Sequence, residues 1–308
     1  MFDHDIADFA KQKKWTVVEI LHQSKYKKTA ILKIIVNKKI CIAKVHLKSA
    51  PMATREAFAS EVKYYSLLSG VVNVPALIES GDEYLLLEYV CGKSIWSLSL
   101  HSSTSQKKII NIASEVKQTV LDFNSITSSK IIKMNRFEAY RLILGRLKDL
   151  FLSGPIGTSA HFYKRLQLTC LYYLSFPLIM FSVIKHVPKL IEEKNMSGCR
   201  YHGDLHMNNL LYDDRGKVHL IDFERAKERP LMFLDLAYSC ATFIAAFQHK
   251  DEVMQVFNGM FDSCRPASHS FSWLLNLFVT CAQLNPRFCS GSIVKIKFIT
   301  FLRIIMCR

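Results

Sequence analysis

Residues 201–224 read YHGDLHMNNLLYDDRGKVHLIDFE, and the spacing within this stretch decides the fold. Leu210-Leu211-Tyr212 and the run 217–221 are apolar enough for two short strands, and Asp213-Asp214-Arg215-Gly216 between them is a turn signal. An antiparallel hairpin returns the chain to its starting end. Asn209, just before the first strand, and Asp222, just after the second, are therefore expected side by side, with Asp204 in the loop beneath them. A carboxylate and an amide oxygen so placed suit Mg²⁺, a hard cation that binds through a few protein oxygens and completes its shell with substrate phosphates. Asp204 is then left to act as a base. Asp and Asn are also ordinary turn residues, but turn chemistry alone does not ask for this spacing around a hairpin.

The pattern resembles the catalytic core of the kinase-like phosphotransferases. In that template a loop Asp accepts a hydroxyl proton, an Asn five residues on binds Mg²⁺, and a second Asp after a hairpin binds Mg²⁺ between the phosphates. Asp204, Asn209 and Asp222 stand at those positions. His202-Gly203-Asp204 replaces the His-Arg-Asp of protein kinases, and Ile221-Asp222-Phe223-Glu224 replaces Asp-Phe-Gly. Both departures are similar to the aminoglycoside phosphotransferase and choline kinase branch, which phosphorylates small-molecule hydroxyls. Loss of the Arg also argues against switching by a phosphorylated activation loop. The resemblance implies an α+β, bilobal protein-kinase-like fold, with a small β-rich N-lobe over residues 1–92 for nucleotide and a larger helical C-lobe over 93–308. It implies ATP or another NTP as donor, Mg²⁺ as cofactor, and a small molecule or sugar as acceptor. An unusual protein kinase and a membrane-associated nucleotide-binding pseudokinase are the competing readings.

Such a core needs a strand Lys for the nucleotide phosphates and a helix Glu to hold it. Residues 31–36 and 40–47 read as a hairpin, and Ile42-Ala43-Lys44-Val45 resembles the Lys-bearing strand of the family. Lys44 is the lone charge between Ile40 and Val45. A helix is expected over about 54–68, with Ala57, Val62, Tyr65 and Leu68 near helical spacing and Gly70 as a stop. It carries Glu56 and Glu61; Glu61 is the expected partner of Lys44, with Glu56 as the alternative. Tyr84 to Val90 reads as a strand entering the family hinge, where the backbone of Glu88 and Val90 would bond an adenine edge. The resemblance further assigns His202 and Asp235, the latter in the Asp235-Leu236-Ala237 helix start, to bracing the catalytic loop. The roles of Glu224 and His206 stay open: Glu224 could reach the metal through water and His206 could contact phosphate or fasten the loop, and a plain solvated or structural reading stands beside each. The turn that covers the phosphates departs from the template: residues 18–31 contain no glycine, and Ser24, Lys25, Lys27 and Lys28 are its polar groups.

Composition agrees with one globular catalytic unit, at 308 residues, 50% hydrophobic and 22% charged. The nine cysteines are scattered without a CxxC pair or zinc spacing, which points to buried thiols in a reducing compartment. Residues 1–8 have neither a basic start nor an apolar core, so no secretory leader is expected there. The uncharged run 166–184 approaches a spanning length, yet a single span would part Lys44 from Asp204. It is therefore expected to be a buried helix, as is 266–286, and the protein is expected in the cytoplasm. A formal +15 with a pI near 9.4 is uneven along the chain, with eleven Lys against four acids in residues 1–50. Residues 284–308 add Arg287, Lys295, Lys297, Arg303 and Arg308 without an acid. Such faces attract anions. With no nucleic-acid module in view, peripheral contact with an anionic membrane or glycan is expected, and a lipopolysaccharide core sugar is the acceptor that would fit. The acceptor itself and the oligomeric state are not written in any motif.

Overall fold

The computed structural model describes residues 2–100, 104–126, 135–152, 199–229 and 232–247, with scattered helical residues in 176–188, 253–257 and 274–279. The basic segment 284–308, and most of the expected helices at 166–184 and 266–286, lie outside the described residues. The strands are β1 (Thr16–Ser24), β2 (Thr29–Val36), β3 (Lys39–His46), β4 (Leu77–Ser80), β5 (Tyr84–Glu88), β6 (Gly92–Ser94), β7 (Cys199–Tyr201), β8 (Leu210–Asp213), β9 (Val218–Leu220) and β10 (Lys227–Arg229). The helices are α1 (Phe2–Gln12), α2 (Met52–Leu68), α3 (Ile95–Ser99), α4 (Gln106–Ser125), α5 (Arg136–Leu152) and α6 (Met232–Ala246). The architecture is α+β. Among the described residues no helix is long and apolar enough to cross a membrane. Cys41, Cys91 and Cys240 are free thiols.

Two compact units divide the chain. One gathers Met1–Lys93 with His202–Asp204 and Asn209–Ala226, and the other gathers Ser94–Tyr201, Leu205–Asn208 and Lys227–Arg308. The catalytic-type hairpin thus belongs with the N-terminal strands, although a cut in chain order at 92/93 would assign it to the helices.

The first unit is built on an antiparallel sheet in the order β1-β2-β3-β5-β4. Side chains alternate across a strand, and the alternation sorts β3 cleanly. Cys41, Ala43 and Val45 join Ile6, Ala30, Leu32, Ile34, Tyr84 and Leu86 in one buried cluster. Lys44, paired in register with Ile31 on one side and Leu85 on the other, is therefore turned to the opposite face. On α2 the buried positions are Phe58, Glu61, Tyr64, Tyr65 and Leu68, an i, i+3, i+7 stripe in which Glu61 is the charged member.

The hairpin β8–β9 pairs Leu210 with Leu220 and closes through a turn in which Gly216 takes φ +81°. The Ile221 N–H donates to the Asn209 carbonyl at 3.1 Å, so the two ends of the hairpin meet as the spacing predicts. Beyond it, Phe223 is fully buried. Its ring lies parallel to Tyr64 at 6.1 Å, edge-on to Tyr65 at 5.0 Å, and 4.8 Å from His202. This aromatic plug is what fixes the Asp222 segment against α2.

The second unit is helical. α4 buries Ile109, Ile112, Val116, Val120 and Phe123, and α6 is buried along most of its length. β7 and β10 form a short antiparallel pair. Arg146 of α5 donates to the Tyr201 hydroxyl at 3.1 and 3.2 Å and lies over the Tyr238 ring.

Removing the plug tests its role. Phe223→Ala should lower stability by about 3–5 kcal/mol, the usual cost of emptying a buried aromatic site. Denaturant unfolding measures it, and a loss below about 1 kcal/mol would mean that the ring is not an anchor.

Candidate active site

Lys44 sits at the centre of the first unit's polar cluster. Its Nζ lies 2.5 Å from Glu61 Oε2, 2.8 Å from Glu224 Oε1 and 3.1 Å from Asp222 Oδ1. Only 10% of its side chain is exposed, and Glu61 is nearly sealed at 2%. A buried ammonium without partners would be costly. Burial works against the charge on Lys44, but Glu61, Asp222 and Glu224 outweigh it and raise its pKa well above the ordinary value. Glu61 moves in the opposite sense to a simple ion pair. Its burial outweighs the attraction of Lys44, Asp222 and Glu224 repel it, and it is pushed up to about 7. One ammonium shared by three carboxylates accounts for both directions: Lys44 keeps its proton, and the most buried acid carries the strain. Glu224 is pulled down to about 2; burial opposes this, but Lys44 and then Lys27 prevail.

Asp222 is held by its backbone. It takes a left-handed conformation, φ 66° and ψ 68°, which is uncommon outside glycine but better tolerated by Asp and Asn than by other residues. Its N–H donates to the buried Tyr65 hydroxyl at 3.2 Å. Four residues beyond, the Ala226 carbonyl accepts from Ser60 Oγ at 3.3 Å. Helix α2 therefore grips this segment at both ends, with Phe223 between.

The loop of Asp204 is fastened by Asn209, whose Nδ2 donates to the Asp204 carbonyl at 2.9 Å. Because a carbonyl only accepts, the amide orientation is set, and Oδ1 takes no part in this bond. His202 is fully buried with Nε2 3.0 Å from the Ile221 carbonyl, so that nitrogen carries the hydrogen. Gly203 takes φ +79°, and a Cβ there would lie 2.4 Å from the Arg225 carbonyl oxygen. Asp204 is half-buried, with Arg225 Nη1 3.7 Å from its Oδ1.

The expected residues divide by location. Lys44, Glu61, Asp204, Asn209, Asp222 and His202 share the first compact unit. Glu61 and not the exposed Glu56 meets Lys44. The Glu88 N–H donates to the Ala76 carbonyl at 2.9 Å, at the end of β5 just before Val90. Asp235 is buried in the second unit, where its charge acts on Arg146. His206 Nδ1 accepts the Asn208 N–H at 3.2 Å, which fastens the loop. The sequence set Tyr65 at helical spacing without giving its hydroxyl a role, although its i, i+4 relation to Glu61 puts both on one helix face. Nor did it show that Lys27, in the β1–β2 turn, reaches Glu224 Oε2 at 3.1 Å.

The Asp222 carboxylate and the Asn209 amide oxygen are hard donors of the kind a divalent cation takes, whereas the cluster of Glu61, Asp222 and Glu224 is filled by the Lys44 ammonium. Carboxylate oxygens of Glu61, Asp222 and Glu224 lie within 4.8 Å of one another. Three carboxylates against the ammonium groups of Lys44 and Lys27 leave a formal −1.

Comparison with known proteins bears on the fold. The family model described as "Phosphotransferase enzyme family" matches residues 174–257, the stretch that contains HGD, Asn209 and IDFE. Similar solved structures include an aminoglycoside phosphotransferase from Alicyclobacillus acidocaldarius subsp. acidocaldarius DSM 446, at 15% identity and TM-score 0.53, covering 94% of this chain and 92% of that one. The streptomycin–ATP–APH(2")-IIa ternary complex is similar at 14% identity and TM-score 0.52, covering 98% and 97%. Choline kinase LicA from Streptococcus pneumoniae follows at 12% identity and TM-score 0.51, covering 99% and 100%. No curated protein sequence matches the chain. The chain has the kinase-like fold that these phosphotransferases share.

The charge assignments have a pH signature. Glu224 is depressed from 4.5 to about 2, so it contributes stability above its ordinary value and loses it as pH falls toward the lower one. Wild type should exceed Glu224→Gln by roughly 1–2 kcal/mol near neutrality, after discounting for solvent screening. The gap should shrink as pH is lowered from about 5 and vanish only as pH passes the depressed value of about 2. Thermal melts of both proteins across this range measure it; a gap independent of pH would remove the ion pairs as its cause.

Proposed function

We propose that this chain is a phosphotransferase that moves the γ-phosphoryl group of ATP, or another NTP, to a hydroxyl of a small molecule or sugar, with Mg²⁺. The observation that carries the reading is the junction of Lys44, Glu61 and Asp222 in the same compact unit as Asp204 and Asn209. The family model over 174–257 and the kinase-like fold support it. ATP is the nucleotide in the similar ternary complex, which supports it as donor.

In this reading Lys44 binds the donor phosphates, and Glu61 holds its ammonium in place. Asn209 Oδ1 and the Asp222 carboxylate would hold Mg²⁺, which supplies charge neutralisation on the phosphates when bound. Asp204 accepts the acceptor's hydroxyl proton as the new O–P bond forms and the bond to the nucleoside diphosphate breaks. His202 and Asn209 keep that loop from shifting. The carbonyl of Glu88 and the backbone of Val90 take the adenine edge. Asp235, with Arg146 beside it, supports the second unit's part of the loop.

The acceptor class also follows from chemistry. A hydroxyl-bearing small molecule is the reading with most support, since the similar proteins include aminoglycoside and choline kinases by name. Lysines 25, 27, 28, 38 and 39, with Val18 and Leu21 about half exposed on β1 and Tyr26 at 89%, favour an acceptor presented on an anionic surface such as a membrane or glycan.

Asp204→Asn should reduce turnover by about 10²–10⁴-fold, the usual worth of a general base, with nucleotide affinity unchanged. Asp222→Ala should abolish the Mg²⁺-dependent part of the thermal shift given by nucleotide. Labelled nucleotide with a cell extract, read by mass, separates a small-molecule product from phosphoprotein or none; wild-type turnover by Asp204→Asn would overturn the base assignment. For the surface, binding to anionic vesicles should fall as the Debye length shortens from about 30 Å at 0.01 M to about 8 Å at 0.15 M salt. Equal co-sedimentation on neutral vesicles would remove that role.

A further inference from the structure

The β1–β2 turn and the end of IDFE are joined by one side chain. Glu224 Oε1 lies 2.8 Å from Lys44 Nζ, and its Oε2 lies 3.1 Å from Lys27 Nζ. A single carboxylate therefore bridges two ammonium groups, one from the sheet and one from the turn. Two oxygens of one anionic group, each facing a lysine, is also the arrangement that a phosphate would make.

Among the described contacts of the turn, the one that reaches this cluster is made by the Lys27 ammonium. Phosphate covers built on glycine work through backbone N–H groups that approach closely, but residues 18–31 have no glycine. The Lys27 N–H is already donated to Ser24 Oγ at 3.2 Å, and the Lys28 carbonyl accepts from Leu47 N at 3.0 Å. Lys28 itself takes φ +55°, so the turn is set in shape. What it extends toward Lys44 is the Lys27 ammonium. Half of the Lys27 side chain is exposed, against 10% of Lys44, so Lys27 is the group free to change partners.

We propose that Glu224 stands in for nucleotide phosphate, clamping Lys27 beside Lys44 until the donor's phosphates take Lys27 from it. Lys27 then does as a side chain what a glycine-rich turn does with its backbone, and Glu224 sets a threshold against weakly charged occupants. A carboxylate and a phosphate cannot both lie between the same two ammonium groups without strong repulsion, so the exchange is forced once phosphate arrives. The inference rests on the nucleotide-binding reading above.

Calorimetric titration of the full chain with ATP, ADP and adenosine, each with Mg²⁺ and with EDTA, tests it. Lys27→Gln should weaken ATP and ADP about tenfold while leaving adenosine unchanged, and Lys27→Arg should keep most of the affinity. Glu224→Gln should tighten ATP and ADP in EDTA several-fold, because it removes the competitor. Circular dichroism at the titration temperature confirms that each variant is folded. Unchanged ATP affinity in Lys27→Gln, or equal losses for ATP and adenosine, would overturn the role of Lys27. Weaker binding by Glu224→Gln in Mg²⁺ alone would make Glu224 a metal ligand and overturn the stand-in. If wild type binds none of the three ligands, the nucleotide reading itself has failed; if wild type binds and the variants match it, only this inference has.

Discussion

One ammonium among three carboxylates is the constraint on which the first unit depends. Lys44 is nearly sealed from water, and a buried charge persists only where partners replace its hydration. Those partners come from two separate parts of the chain: Glu61 from α2, and Asp222 and Glu224 from the segment after β9. Each must be delivered to within hydrogen-bond reach of one strand position. The register of β3 between β2 and β5 turns Lys44 away from the apolar cluster of Cys41, Ala43 and Val45. A slip of one residue would bury the ammonium in that cluster and set an apolar side chain among the three carboxylates in its place.

The apolar packing serves this electrostatic demand. Helix α2 places Glu61 in a stripe otherwise occupied by Phe58, Tyr64, Tyr65 and Leu68. These same aromatics receive Phe223, so the plug that stabilises the helix also sets where Asp222 and Glu224 emerge. The hydroxyl of Tyr65 meets the Asp222 N–H and the hydroxyl of Ser60 meets the Ala226 carbonyl. The left-handed backbone at Asp222 costs about 1–3 kcal/mol in general terms, and it persists because it is fixed on both sides.

Much of this was legible in the chain because it is local. The hairpin at 210–220, the meeting of its two ends, the strand of Lys44 and the helix of Glu61 follow from periodicities and turn residues within short windows. The choice of Glu61 over Glu56 follows from resemblance, and the helix stripe gives its physical reason: position 61 is on the buried face and position 56 is not. The Lys27–Glu224 bridge was not legible, since 197 residues separate its members and each alone reads as a solvated charge. Glu224 could be set near a metal from its place after Asp222, but its bond to a lysine of the turn requires the sheet and hairpin to be assembled first. The acceptor pocket leaves no such trace, because shape and not a motif determines which hydroxyl enters.

The departure at Gly203 shows how a sequence difference from the protein-kinase pattern is enforced by backbone geometry. Where those enzymes carry Arg in His-Arg-Asp, this chain has φ +79° and a Cβ position 2.4 Å from the Arg225 carbonyl. No side chain fits there without moving the IDFE segment, and that segment is immobilised by Phe223, Tyr65 and Ser60. An arginine at position 203 is thus excluded by the same packing that seats Asp222. The cation near Asp204 comes instead from Arg225, at the long distance of 3.7 Å and with its side chain 62% exposed. An exposed arginine at that range exerts a weak, salt-sensitive pull. The Asp204 loop therefore owes its position to Asn209 and His202, whose bonds are short and internal. The short bonds of Asn209 and His202 thus hold the Asp204 loop more firmly than the distant, exposed Arg225 does.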